Sequence, residues 1–242
     1  VANGGAGGNQ CDLNFTFAAV PSIGTGTWTM TSGTGTATFA PNATSPTATV
    51  TVSTYGTKVF SWIETNGNCA DTATVTVNFY QLPVAEAGPG GNNCGNVYSL
   101  SAVPTVGTGA WSRVSGPGNV TFTPNANTPD AKATISVYGV YVLRWTETNG
   151  TCSSFENISV TFIQQPSANA GNGGIECDRD FVLGATAASG GVWSLVSGPG
   201  TAVFSPNASA ANARVTVSQF GAYDFAWTIS NSLCNSSDIV RV

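Results

Sequence analysis

The chain has 242 residues, only 8% of them charged: two lysines, five arginines, twelve acidic residues and no histidine, for a net charge of −5. No basic stripe is available to displace counterions from phosphate, so nucleic acid is excluded as a partner. No run of 18 apolar residues exists, so no membrane insertion by this segment is expected. Without histidine, neither a Ser-His nor a Cys-His nucleophile can be assembled.

The cysteines and tryptophans recur with one step. Cys11, Cys94 and Cys177 stand 83 residues apart, and Cys69, Cys152 and Cys234 follow at 83 and 82. Trp28, Trp111 and Trp193, and then Trp62, Trp145 and Trp227, keep nearly the same step. A period near 80 is too long for a solenoid repeat but long enough for a small domain that folds alone. Pro83 and Pro166 separate the units, which gives domains at 1–83, 84–166 and 167–242. The third stops at Val242, in register with Val160, so its last strand is expected to be truncated. No charged-then-apolar leader opens the chain, so any signal peptide is expected to be removed or to lie outside it.

In chain order, the middle unit reads most clearly. Residues 98–103 (YSLSAV) alternate and stop at Pro104 and a Gly-Thr-Gly turn. Residues 110–114 carry Trp111 and end at Ser-Gly-Pro-Gly; residues 119–122 form a short strand closed by Pro124-Asn125. Residues 133–137 alternate again. Residues 140–148 follow the Tyr138-Gly139 turn, then comes the Asn149-Gly150 hairpin signal and a return strand to Ile163. Nothing has helical periodicity. The prediction is all-β: three tandem immunoglobulin-like sandwiches of about seven strands each, with one disulfide per domain.

Alternation assigns the inner face. Tyr141, Leu143 and Trp145 are in phase, matching Phe60 and Trp62 in the first unit and Tyr223, Phe225 and Trp227 in the third. Trp62, Trp145 and Trp227 are read as core, with a sugar-stacking platform as the minor alternative. Trp28, Trp111 and Trp193 are also read as core, with exposed contact left open because they adjoin glycine-rich turns.

Six cysteines, two per unit, without CxxC spacing or histidine, indicate disulfides in an oxidising compartment and no structural metal. The expected pairs are Cys11–Cys69, Cys94–Cys152 and Cys177–Cys234, on the reading that the two cysteines of a unit share one pole of its sandwich. Each bridge would then contribute about 4 kcal/mol in the chain-entropy model.

The repeated segments resemble the PKD-like, immunoglobulin-like repeats of large Bacteroidota surface proteins. Those segments are Ala87-Gly88 before Cys94, Val106–Trp111, Ser115–Gly118, Pro124–Ala126 and Arg144–Cys152, with Trp227–Asn231 and Cys234 keeping the frame in the third unit. The resemblance covers essentially the whole chain. It implies a stalk or filament segment of an extracellular adhesin, linked to gliding motility and type IX secretion. The Trp-Asp-Phe-Gly-Asp-Gly-like segment of better-known PKD domains is absent.

The remaining candidates are modest. Glu64 and Glu147 follow the inner tryptophan by two residues, but Ile229 stands there in the third unit, so the position is read as rim. Glu176, Asp178 and Asp180 around Cys177 are read as a solvated loop, with oxygen ligation of calcium as the alternative. Asn-x-Ser/Thr sequons occur at Asn14, Asn42, Asn119, Asn149, Asn157, Asn207 and Asn235, and a bacterial source would leave them unused. Asp71-Thr72-Ala73 resembles a Bacteroidota O-glycosylation motif, which makes Thr72 a possible site. No catalytic residue and no cofactor is expected. Expected partners are further repeats of the same parent chain, or a surface polysaccharide or other adhesion target. The alternatives to a stalk are a carbohydrate-binding accessory module of a secreted enzyme and a filament subunit completed by a partner's strand.

Overall fold

A computed structural model describes residues 1–231 and 233–242, and every regular element in them is a β-strand. The first domain holds β1 (Gly8–Gln10), β2 (Asn14–Thr16), β3 (Thr25–Ser32), β4 (Ala37–Ala40), β5 (Thr49–Val52), β6 (Gly56–Asn66) and β7 (Cys69–Phe79). The second repeats them as β8 (Gly91–Cys94), β9 (Val97–Ser99), β10 (Thr108–Ser115), β11 (Val120–Thr123), β12 (Lys132–Ile135), β13 (Gly139–Asn149) and β14 (Cys152–Ile163). The third holds β15 (Asp180–Val182), β16 (Gly191–Ser197), β17 (Ala202–Ser205), β18 (Arg214–Val217), β19 (Asp224–Asn231) and β20 (Cys234–Arg241).

Each domain is a sandwich of two sheets. In the middle domain the order is β10-β13-β14-β8 in one sheet and β11-β12-β9 in the other, and the first domain repeats it as β3-β6-β7-β1 and β4-β5-β2. All pairs are antiparallel except the edge strands β1 and β8, which run parallel to β7 and β14. This is the immunoglobulin-like arrangement, a central hairpin and its neighbour facing a three-stranded sheet.

The long hairpins β6–β7 and β13–β14 turn at Asn66-Gly67 and Asn149-Gly150, where Gly67 and Gly150 take φ near +60° (61° and 60°), a conformation that glycine adopts at no steric cost. Period-2 alternation then sends Tyr141, Leu143 and Trp145 into the core, all fully buried. All six tryptophans are 3% exposed or less, and in each domain the two rings tilt against one another at 5.2–5.3 Å.

A tyrosine corner closes two of the three domains. Tyr141 and Tyr223, at the start of the core hairpin, donate their hydroxyls to the carbonyls of Val137 and Gln219, 2.6 and 2.9 Å away. The first domain carries Lys58 at that register. It is 1% exposed, and its Nζ donates to the Tyr55 carbonyl at 3.3 Å and to the Thr54 hydroxyl at 3.1 Å. The flexible amine reaches the same turn, at the carbonyl one residue after the position the phenols use, so the buried donor remains satisfied.

Candidate functional site at the domain junctions

The disulfides do not follow the expected pairing. Cys11 bonds Cys152 and Cys94 bonds Cys234, so each of the two bridges joins neighbouring domains, and Cys69 and Cys177 are free. The edge strands supply the reason. β8 lies parallel to β14 with Cys94 opposite Ile163, at the far end of that strand, while Cys152 opens it. The two cysteines of one unit are therefore about 36 Å apart along the sheet, whereas a disulfide needs Cα atoms within about 7 Å. The bonded pairs have Cα–Cα distances of 5.5 and 5.6 Å. The cysteines of a unit thus occupy opposite poles. The first faces the next domain, and the second faces the preceding one.

The hairpin tip of each following domain grips the linker that enters it. Asn149 Nδ2 donates to the Gln81 carbonyl at 2.8 Å, and Asn231 Nδ2 to the Gln164 carbonyl at 2.9 Å. Gly150 sits so close to the Tyr80 ring that a β-carbon there would come within 2.4 Å of it. Docking buries the hairpin cysteines, leaving Cys152 and Cys234 1% and 2% exposed. Pro83, between the domains, is buried as well. In the chain-entropy model, closing a loop of 140 or 141 residues limits the unfolded chain by about 5 kcal/mol per bridge.

Glu64 and Glu147 are not rim residues, because both are buried, 5% and 1% exposed. Each carboxylate accepts from the indole below it, Trp62 Nε1 at 2.8 Å and Trp145 Nε1 at 2.9 Å. Each also accepts from the loop above. Ser22 gives its hydroxyl and its backbone N–H, and Thr105 gives its hydroxyl at 2.7 Å and its N–H at 3.0 Å. The Ser22 hydroxyl, with help from Trp62, holds Glu64 below the usual carboxylate range. Burial pushes Glu147 up, but the Thr105, Trp145 and Val106 donors outweigh it, and its net shift is downward. Ile229 fills this place in the third domain, and Trp227 Nε1 is buried there without a partner.

The other expected sites scatter. Thr72 is exposed on β7, beside Asp71, which also accepts from the Ala2 N–H at 2.7 Å. Asp180 pairs with Arg214 at 3.4 Å and accepts from the Thr216 hydroxyl, and Asp178 accepts from the Asp180 N–H at 2.9 Å, so two of the three carboxylates have partners within the protein. No group of three or more metal-ligating side chains occurs among the described residues. A cavity of about 370 Å³ opens in the third domain beside Phe181, Val217, Tyr223 and Phe225. In the middle domain the same space holds Phe162, packed edge-on against Tyr98 and Tyr141 at 6.3 and 5.5 Å.

No protein-family description and no curated protein matches the chain. Among solved structures it is similar to the I-band fragment I67–I69 of titin, at 13% identity over 99% of this chain and 95% of that one, with a TM-score of 0.45. It is also similar to extracellular domains 3–5 of Drosophila OTK (9% identity, 99% and 94% covered, TM-score 0.38). A third is the insect immune protein hemolin (11% identity, 99% and 74% covered, TM-score 0.36). The class defined by the chain's own topology is a tandem array of immunoglobulin-like β-sandwiches, clamped across its junctions by disulfides.

Proposed function

We propose that the chain is a load-bearing, non-catalytic spacer: a stalk or filament segment of a repetitive extracellular surface adhesin, of the bacterial kind its repeats resemble. The observation that carries this reading is the double connection of successive domains, once by a proline-stiffened linker and once by a disulfide. A second covalent link removes swivelling that the peptide alone would allow, and rigidity of that kind serves reach rather than chemistry. The disulfides fit an oxidising compartment, and an extracellular location follows from the same reading.

The accessory-module alternative needs exposed aromatics to grip sugar. All six tryptophans are buried, and the exposed Tyr55, Tyr138, Phe155 and Phe220 are spread over the three domains, the two phenylalanines each beside an arginine. Small-angle scattering tests the spacer. Strands near 3.3 Å per residue give modules on the order of 35–40 Å, hence a maximum dimension of roughly 100–120 Å. A value near that of a compact globule would end this reading.

A further inference from the structure

Cys69 and Cys177 are left over by a pairing rule that both bridges obey: the first cysteine of one domain bonds the hairpin cysteine of the next. Cys69 is the hairpin cysteine of the first domain, and Cys177 the first cysteine of the third. We propose that they are the two halves of one further junction of the same kind, and that Cys177 of one copy of this chain bonds Cys69 of a second copy, head to tail.

Three observations support it. Docking buries Cys152 and Cys234, yet their counterpart Cys69 is exposed, together with Asn66 and Gly67, the residues whose equivalents grip the linker at the next tip. Gly67 keeps the backbone of Gly150, φ 61° against 60°, but where Gly150 is pressed by Tyr80, nothing lies within 4 Å of a β-carbon at Gly67. The first tip is built for docking, and no part of these three domains covers it.

At the other end, Gly173 sits against the Arg241 carbonyl as Gly7 sits against Thr76 and Gly90 against Ser159, and these three carbonyls belong to equivalent rungs of the last strands. The segment from Gly173 therefore leads Cys177 to the same outer pole that Cys11 and Cys94 reach. Cys69 and Cys177 lie at opposite ends of these three domains, so they cannot bond each other, and a head-to-tail contact of this type builds rings or open filaments rather than a two-fold dimer.

The chemistry is exchange with a small-molecule disulfide. The Cys177 thiolate attacks it and releases one thiol. The Cys69 thiolate then attacks the Cys177 sulfur of the mixed disulfide and releases the second, so two protein thiols are oxidised and one disulfide is reduced to two thiols.

Cys69→Ser and Cys177→Ser remove exposed, unbonded side chains and leave both existing bridges in place. Each variant is incubated with oxidised glutathione, alone and mixed, and resolved without reductant. The mixture is expected to yield a dimer joined by a Cys69–Cys177 peptide, about tenfold over either symmetric dimer, while the parent forms a ladder of multimers. Symmetric Cys69–Cys69 and Cys177–Cys177 dimers forming as readily as the mixed one would overturn the proposal, as would no crosslinking at all. Either failure leaves the spacer reading standing, since that is decided by the scattering dimension of the monomer.

Discussion

The middle and third domains solve the same problem differently. Both bury a tryptophan pair with near-identical geometry, 5.3 Å at 51° in one and 5.2 Å at 49° in the other. In the middle domain the inner indole N–H is taken up by Glu147, and Glu147 by Thr105; in the third the indole N–H has no partner, and Ile229 replaces the carboxylate. From Leu100 to Trp111 the chain takes eleven steps, and from Leu183 to Trp193 only ten, so the third domain's loop is one residue shorter and has alanines, Ala187 and Ala188, where the hydroxyl stood. Carboxylate and loop donor are present together or absent together. A buried carboxylate without its loop donors would cost more than a lone unpaired indole, and the third domain keeps the smaller penalty.

The largest difference is expected on deleting the rings. Trp145→Ala should cost about 3–5 kcal/mol from the cavity alone, and more than Trp227→Ala, because it also strips Glu147 of a donor while the third domain loses a group that was already unsatisfied. Domain-resolved thermal or denaturant unfolding reads this. Equal costs at the two sites would break the comparison.

Next in size is Glu147→Ile, which imports the third domain's solution without its shorter loop. It leaves the Trp145 N–H and the Thr105 donors unmatched and should destabilise the middle domain by about 1–3 kcal/mol. Removing the N–H instead separates the two domains cleanly. Trp227→Phe should be near neutral by comparison, whereas Trp145→Phe leaves a buried carboxylate short of a hydrogen bond.

Acid supplies the smallest effect. Glu64 and Glu147 have lowered folded-state pKa values, so their contribution is present above the ordinary carboxylate range, near 4.3, and is lost as pH falls through the folded values. The first two domains should therefore weaken below about pH 4 through this group, and the third, with Ile229, should not. Its own lowered carboxylate, Asp224, is held by exposed Arg241 at 2.8 Å, a surface pair that contributes little. Hydrogen exchange resolved by domain across that range measures the contrast.

How much of this was legible before the structure depends on the element. Alternation from Val140 to Trp145 and the Asn149-Gly150 turn fixed the core hairpin, because a two-residue period and a positive-φ turn are written directly in residue types. β8, Gly-Asn-Asn-Cys, carries none of those signals; it is a strand only because β14 offers a free edge, and it alone decides which pole Cys94 occupies. Missing it placed both cysteines of a unit at one end and produced the intradomain pairing. Glu147 was misread for a related reason. Ile229 at the matching position argued against importance, while the step of 82 instead of 83 already recorded the loop deletion that accompanied the exchange.

The central claim is that the domains are bonded to each other rather than each to itself. Non-reducing peptide mapping of the oxidised chain, with alkylation of free thiols, tests it directly. The expected result is Cys11–Cys152 and Cys94–Cys234 crosslinked peptides, with alkylated Cys69 and Cys177. Recovery of Cys11–Cys69, Cys94–Cys152 and Cys177–Cys234 with no alkylated cysteine would contradict the account.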